Sequence, residues 1–213
     1  PAELNSADTP PQSNDEGSTM QADAPPTPDW APLTLVSYNV NYAVANRPVA
    51  LDALLAIQAD VLFLQETNPT WEAPLATLAD RYPHRLLRHA GEAGGLAVLS
   101  KLPFSEGDYI QPTDGAWFPA WRIILETDFG PLQVINVHLR PNISDSGSVA
   151  AGLFKTPAIR EREIEQHLEF VDPAMPAVFL GDFNERADGR AVSKLTERGM
   201  TNALVAVGSD AHT

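Results

Sequence analysis

Short apolar runs that end in a polar residue recur along this chain. Leu33–Asn39 (LTLVSYN), Asp60–Gln65 (DVLFLQ), Leu96–Ser100 (LAVLS), Arg122–Thr127, Leu132–His138 and Ala177–Leu180 each have the length and β-branched or aromatic content of a strand. Asp128–Pro131 joins two of them and predicts a hairpin turn. Helical spacing appears between the strands. Val49–Gln58 and Pro74–Tyr82 carry apolar residues at turn intervals, and Pro157–Val171 places Ile164, Leu168 and Val171 on one stripe with charges elsewhere. Ala191–Arg198 predicts a further helix, with Gly199 suited to its C-terminal cap. Strands and helices alternate irregularly around at least one hairpin. That pattern favours a layered α/β protein with mixed sheets over a purely parallel sheet.

Residues 1–32 differ in texture. They are rich in Pro, Ser, Thr, Asp and Ala, and they hold Glu3, Asp8, Asp15, Glu16, Asp23 and Asp29 but no Lys or Arg. Such a segment buries too little apolar surface to offset its ordering entropy, so it is expected to be a disordered stalk or linker ahead of one domain, 33–213. Its six carboxylates leave −8 of the net charge of −14 to the domain. That acidity disfavours non-specific nucleic-acid binding, which depends on Lys and Arg, although a local basic cleft or a bound metal can outweigh it. A chain that starts at Pro1 with a polar stalk suggests export, and the expected location is extracytoplasmic. No apolar run reaches transmembrane length, and no obligate protein partner is evident. The absence of cysteine excludes disulfides, thiol catalysis and thiolate metal sites, leaving oxygen and nitrogen ligands that suit hard cations.

The strand ends carry the chemistry. Asn39 closes the first strand, Glu66 the second and His138 the strand of VINVHLRP; Arg122 follows Trp117 and Trp121, and Asp182 and Asn184 end VFLGDFNE. A carboxylate on a rigid strand end suits a divalent cation, and an imidazole can donate to a phosphate oxygen or a leaving group. Asp182 and Asn184 share a face if extended, whereas an Asx turn is the bland alternative. Arg122 needs an anion, and a structural Asp would serve as well as a phosphate. Each signal is weak singly. Converging, they form a set for phosphoryl chemistry, which needs charge stabilisation and positioning.

In order along the chain, LVSYNVNYA, DVLFLQET, GGLAVLSKLPF, VINVHLRP and VFLGDFNE resemble successive motifs of the endonuclease/exonuclease/phosphatase (DNase I-like) family, over roughly Leu33 to Leu204. The resemblance implies a four-layer α/β sandwich with two mixed β-sheets, and metal-dependent hydrolysis of a phosphodiester or phosphomonoester. It implies Glu66 and Asn39 at the metal, Mg2+ or Mn2+, and Arg122, Asn184 and His138 on the substrate phosphate. It also implies catalytic roles for His138, Asp182, Asn184 and Asn39. The substrate would be nucleic acid, a nucleotide or a phospholipid headgroup. The family's last motif, a strand preceded by Ser-Asp-His, is not matched. Ser209-Asp210-Ala211-His212 comes too soon, with Ala211 intervening. The expectation is therefore a domain lacking its last strands, with an open sheet edge and little activity alone. A non-catalytic binding module on the same fold is the alternative function.

Overall fold

The computed structural model describes residues 31–208. The expected stalk, apart from residues 31 and 32, and the Ser209–His212 stretch lie outside the described residues. Two four-stranded sheets form the frame. The first runs β1 (Leu35–Asn39), β2 (Val61–Thr67), β4 (Gly95–Ser100), β3 (His84–Arg88). The second runs β5 (Phe104–Ile110), β6 (Ala120–Thr127), β7 (Gly130–His138), β8 (Ala177–Asp182). Each sheet is mixed: β1 and β2 are parallel, as are β7 and β8, and the other pairings are antiparallel.

Alternation along the strands sorts the core into three layers. Val61 and Phe63 of the first sheet meet Trp121, Ile123, Leu125 and Val134 of the second, filling the space between the sheets. Leu62, Leu64, Ala97 and Leu99 point the other way, against α1 (Pro48–Ala56) and α2 (Pro69–Ala76). Ile135 and Val137 pack outward with Ile164 of α3 (Val149–Leu168) and with Ala191 and Leu195 of α4 (Arg190–Glu197). The result is helix, sheet, sheet, helix. The inner strands β2 and β7 are buried on both faces, which explains their nearly unbroken apolar runs.

The sequence reading located most elements and missed some. β3, β5 and the short α5 (Ala203–Ala206) were not expected. β3 reads HRLLR and β5 FSEGDYI, so charges interrupt any apolar run, and pairing to a neighbour decides their state. The hairpin is tighter than expected: Thr127 pairs with Gly130 across a two-residue turn, where Gly130 takes φ +102°. α3 begins eight residues before the expected Pro157, which it carries in its interior. Proline there forfeits the bond to the Leu153 carbonyl, in a turn open to water. The expected placement of the α3 charges is also corrected, because Arg160, Glu163 and His167 share the buried face with Ile164. α4 is capped as expected, Gly199 at φ +85° and Met200 N–H donating to the Leu195 carbonyl.

β1 and β8 are the outer strands of their sheets among the described residues, and they lie near each other across the sandwich. An open apolar groove of about 850 Å³ runs along them, lined by Leu35, Val178, Leu180, Phe183, Leu195 and Met200 among others. No helix among the described residues is long and apolar enough to cross a membrane.

Candidate active site

The two parallel strand pairs end together, and their C-terminal ends carry the cluster. In β7 and β8, His138 is the register partner of Asp182. In β1 and β2, Asn39 pairs with Gln65, one residue before Glu66. Behind the cluster the apolar layer between the sheets closes with a polar pair, in which Gln65 Nε2 donates to Asn136 Oδ1 at 2.7 Å and Asn136 Nδ2 to the Leu64 carbonyl at 3.3 Å. Both buried amides are thereby satisfied.

Glu66 reaches the cluster through a bulge. Strict alternation would place it with Leu62 and Leu64, facing the helices. The pairing of β2 with β4 shifts between Gln65 and Thr67, and Glu66 adopts φ +60°. A bulge of this kind re-aims a side chain, and a non-glycine residue held at positive φ is strain typical of functional sites. Gly95 permits it, since a Cβ there would lie 1.9 Å from the Thr67 carbonyl oxygen. Gly181 does the same on β8: it takes φ +141°, and a Cβ would lie 2.0 Å from the Val137 carbonyl oxygen.

Asn39 ties the two carboxylates together. Its Nδ2 donates to Glu66 Oε1 at 2.9 Å and to Asp182 Oδ2 at 3.0 Å. Its own oxygen accepts from Asn41 N–H at 3.0 Å, and Tyr42 N–H donates to Glu66 Oε2 at 3.3 Å. His138 Nε2 stands 3.9 Å from both Glu66 Oε1 and Asp182 Oδ2. Its ring is buried and stacks on Phe118, centroids 4.0 Å apart and planes at 16°. Burial lowers the imidazole pKa below its ordinary value, against the opposing pull of Asp182, Glu66 and the Ala93 backbone. The ring is therefore neutral near pH 7, with one N–H donor and one acceptor nitrogen.

Two expected residues stand elsewhere. Asn184 does not lie extended beside Asp182. It takes φ +51°, its N–H donates to Asp182 Oδ1 at 2.9 Å, and its Nδ2 donates to the Leu139 carbonyl at 3.0 Å. This is the Asx turn, and it fixes the Asp182 carboxylate while one N–H of the Asn184 amide goes to the chain after His138. Arg122 is turned away from the cluster. Trp121 faces the space between the sheets, so Arg122 faces the opposite side, where Nε and Nη2 meet Asp108 Oδ2 at 2.9 and 2.6 Å. The structural Asp, not a phosphate, is its partner.

Several residues of the site escaped the sequence reading. Phe118 had only its aromatic neighbours Trp117 and Trp121 as a signal. Arg160 had none, since it sits in a run of charged residues, yet it is buried and ties the loops after His138 and Asp182 to α3. It meets Glu185 Oε2 at 3.2 Å, the Arg140 carbonyl and Asn142 Oδ1 at 3.0 Å each, and Thr156 Oγ1 at 2.8 Å. Asn142 Nδ2 donates in turn to the Asn184 carbonyl. Arg140, two residues beyond His138, is committed to Asp145 and to the Gly115 and Ile143 carbonyls, and stacks over Trp117 at 3.6 Å.

Do these residues suit a hard cation? Glu66 Oε1 and Asp182 Oδ2 are hydrogen-bonded to one amide nitrogen, so two hard donors converge on one spot, and there is no sulfur. No group of three or more His, Cys, Asp or Glu side chains that could hold a metal occurs among the described residues. Mg2+ does not require one, since it commonly binds one or two carboxylates and keeps several waters. The donor set fits.

The sequence pattern of the endonuclease/exonuclease/phosphatase family matches residues 36–202, the span that carries all of these motifs. This chain belongs to that family. The fold is shared with solved structures. Sphingomyelinase C from Streptomyces griseocarneus is similar at 20% identity, with 79% of this chain and 70% of that chain covered and a TM-score of 0.54. An AP endonuclease from Archaeoglobus fulgidus is similar at 19%, over 82% and 74%, with a TM-score of 0.56. A beta toxin from Staphylococcus aureus, solved with bound magnesium ions, is similar at 18%, over 81% and 71%, also at 0.56. At such identities the likeness establishes the fold. No curated protein matches the chain significantly.

Proposed function

We propose that this endonuclease/exonuclease/phosphatase family domain is a divalent-metal-dependent phosphoesterase that hydrolyses its substrate by in-line attack of water. The observation that carries this reading is the convergence of Glu66, Asp182, Asn39 and His138 at the ends of two parallel strand pairs. Glu66, with Asn39 holding its carboxylate in place, would bind Mg2+ or Mn2+. When bound, the ion neutralises charge developing on the phosphoryl oxygens. His138, neutral and buried, donates a hydrogen bond from Nε2 to a phosphoryl or leaving-group oxygen. Asp182, pinned by the Asn184 N–H, orients the attacking water. Phe118 covers one face of the imidazole and keeps bulk water from it. Arg122 does not enter this scheme, because its guanidinium is held by Asp108.

The reading also places the protein outside the cytoplasm, on the composition of residues 1–32. The test is hydrolysis of bis(p-nitrophenyl) phosphate with Mg2+ or Mn2+, before and after chelation. Glu66→Gln is expected to lower metal-dependent turnover at least 100-fold while the melting temperature holds, the size of effect usual for a lost electrostatic contact to the reacting group. Turnover that survives both chelation and Glu66→Gln would overturn the proposal.

A further inference from the structure

The chain that leaves β7 after His138 is held residue by residue. The register of β7 with β8 ends at His138 and Asp182. Leu139 still leans on β8: its N–H donates to the Asp182 carbonyl at 2.9 Å, and its carbonyl accepts Asn184 Nδ2 at 3.0 Å. For Arg140 the partners change, and side chains of α3 take both of its backbone groups. Glu163 Oε2 accepts its N–H at 3.0 Å, and Arg160 Nη1 donates to its carbonyl at 3.0 Å. Arg140 is 1% exposed, so these groups have no water to turn to. Arg160 and Glu163 are three residues apart, neighbours on one face of the helix.

The two halves of this clamp differ chemically. Arg160 keeps its charge throughout the accessible pH range. Glu163 can gain or lose a proton. It is buried, and its Oε1 has no hydrogen-bond partner among the described residues. The cations that act on it are Arg160, Arg140 and Arg162. Arg160 is shared with Glu185 at 3.2 Å, Arg140 with Asp145 at 2.7 Å, and Arg162 is exposed, so none is a buried counter-ion reserved for this carboxyl. His167, one turn further on the same face, is neutral above about pH 4. A carboxylic acid in this place accepts the Arg140 N–H without burying a charge. A carboxylate leaves one buried oxygen bare, and it is relieved when the covering chain lifts and water enters. Burial accordingly pushes the carboxyl up to about 7.

We propose that Glu163 is a positioning residue for His138: protonated, it anchors the chain two residues beyond the imidazole, and on ionising it releases that chain. It touches no reacting atom and acts through the Arg140 N–H. That the positioned imidazole then serves hydrolysis rests on the phosphoesterase reading; the anchoring itself does not.

The experiment follows two NMR signals of the full chain between pH 5 and 9. One is the exchange protection of the Arg140 amide. The other is the His138 ring protons, which stacking on Phe118 at 4.0 Å makes sensitive to small displacements. In the wild type both are expected to change together around pH 7, with protection lost above it. Glu163→Gln keeps an acceptor and cannot ionise, so this transition is expected to vanish and protection to persist to pH 9. Glu163→Leu leaves the N–H bare and is expected to lower protection at least about tenfold even at pH 5; if it fails to fold, the glutamine variant still decides. Hydrolysis of bis(p-nitrophenyl) phosphate adds a third readout: kcat of the wild type falls above pH 7 with KM unchanged, and Glu163→Gln restores the alkaline limb. A wild type without the transition, a transition that persists in Glu163→Gln, or full protection in a folded Glu163→Leu overturns the proposal. A transition that Glu163→Gln removes, in a chain that hydrolyses nothing at any pH, upholds the positioning role and overturns the phosphoesterase reading alone.

Discussion

Glu163 is a buried acid that the fold holds at a cost, and replacing it should raise stability at neutral pH. Its side chain lies on the inner face of α3; Oε2 accepts the Arg140 N–H at 3.0 Å and Oε1 finds no hydrogen-bond partner among the described residues. Burial pushes the carboxyl from 4.5 up to about 7, although the Arg140 N–H and the charges of Arg160, Arg140 and Arg162 pull the other way. The folded state therefore binds this proton more tightly than the unfolded chain. Below pH 4.5 both states are protonated and the acid costs nothing. Between 4.5 and about 7 the unfolded chain ionises first and stability falls; above about 7 the loss is complete. At about 1.4 kcal/mol per pH unit of separation the full loss is about 3 kcal/mol. Glu163→Gln keeps the acceptor for Arg140 N–H and cannot ionise. Urea denaturation at pH 4 and at pH 8 should show the variant equal to the wild type at the lower pH and about 2–3 kcal/mol more stable at the higher. A stability difference independent of pH, or one that grows as the pH falls, would refute the reasoning.

His167, one turn further along α3, acts with the opposite sign: burial alone lowers it to about 4, so its contribution is present above pH 6.5 and lost as pH falls through about 4. His167→Leu should flatten the acid limb of the denaturation profile, measured between pH 7 and 4. Arg160→Met removes the cation from a buried carboxylate, and a broken buried pair costs about 3–5 kcal/mol; a urea midpoint close to that of the wild type would contradict the role given to Arg160. Phe118→Ala re-solvates the His138 ring, so the His138 pKa should rise, as followed by NMR titration of its ring protons, while turnover falls. Gly181→Ala forces a Cβ into the Val137 carbonyl, and the expected result is a destabilisation of several kcal/mol or failure to fold.

How far the sequence could be read depended on whether a residue's role was local. The strands that carry the site were legible because β2 and β7 are buried on both faces and their apolar runs announce themselves. Asn39, Glu66, His138 and Asp182 were legible because each terminates such a run. What alternation could not supply was direction. Taken literally it would have aimed Glu66 at the helices, and only the bulge packed on Gly95 turns it to face Asp182. Arg122 failed for the same reason in reverse. It obeys alternation, sits on the face opposite Trp121, and finds Asp108 on a strand whose charged sequence hid it.

The residues that lay beyond reach are those whose neighbours come from far along the chain. Arg160 looks in sequence like one more charge on a solvated helix face. In the fold it meets the Arg140 carbonyl from the loop after His138 and the Glu185 carboxylate from the loop after Asp182. Both loops therefore hang on one guanidinium, and the helix stripe that should have been apolar is ionic where it passes beneath them. That arrangement accounts for the burial of Arg160 and of Glu163, whose Oε2 accepts the Arg140 N–H. A purely apolar stripe would pack as well but would offer no donors to the carbonyls of strands ending at an active site, where backbone groups have left the sheet and still need partners. The ionic stripe is thus a consequence of where the site sits: the loops that carry His138 and Asp182 can be rigid only if something beneath them supplies the hydrogen bonds that the sheet no longer does.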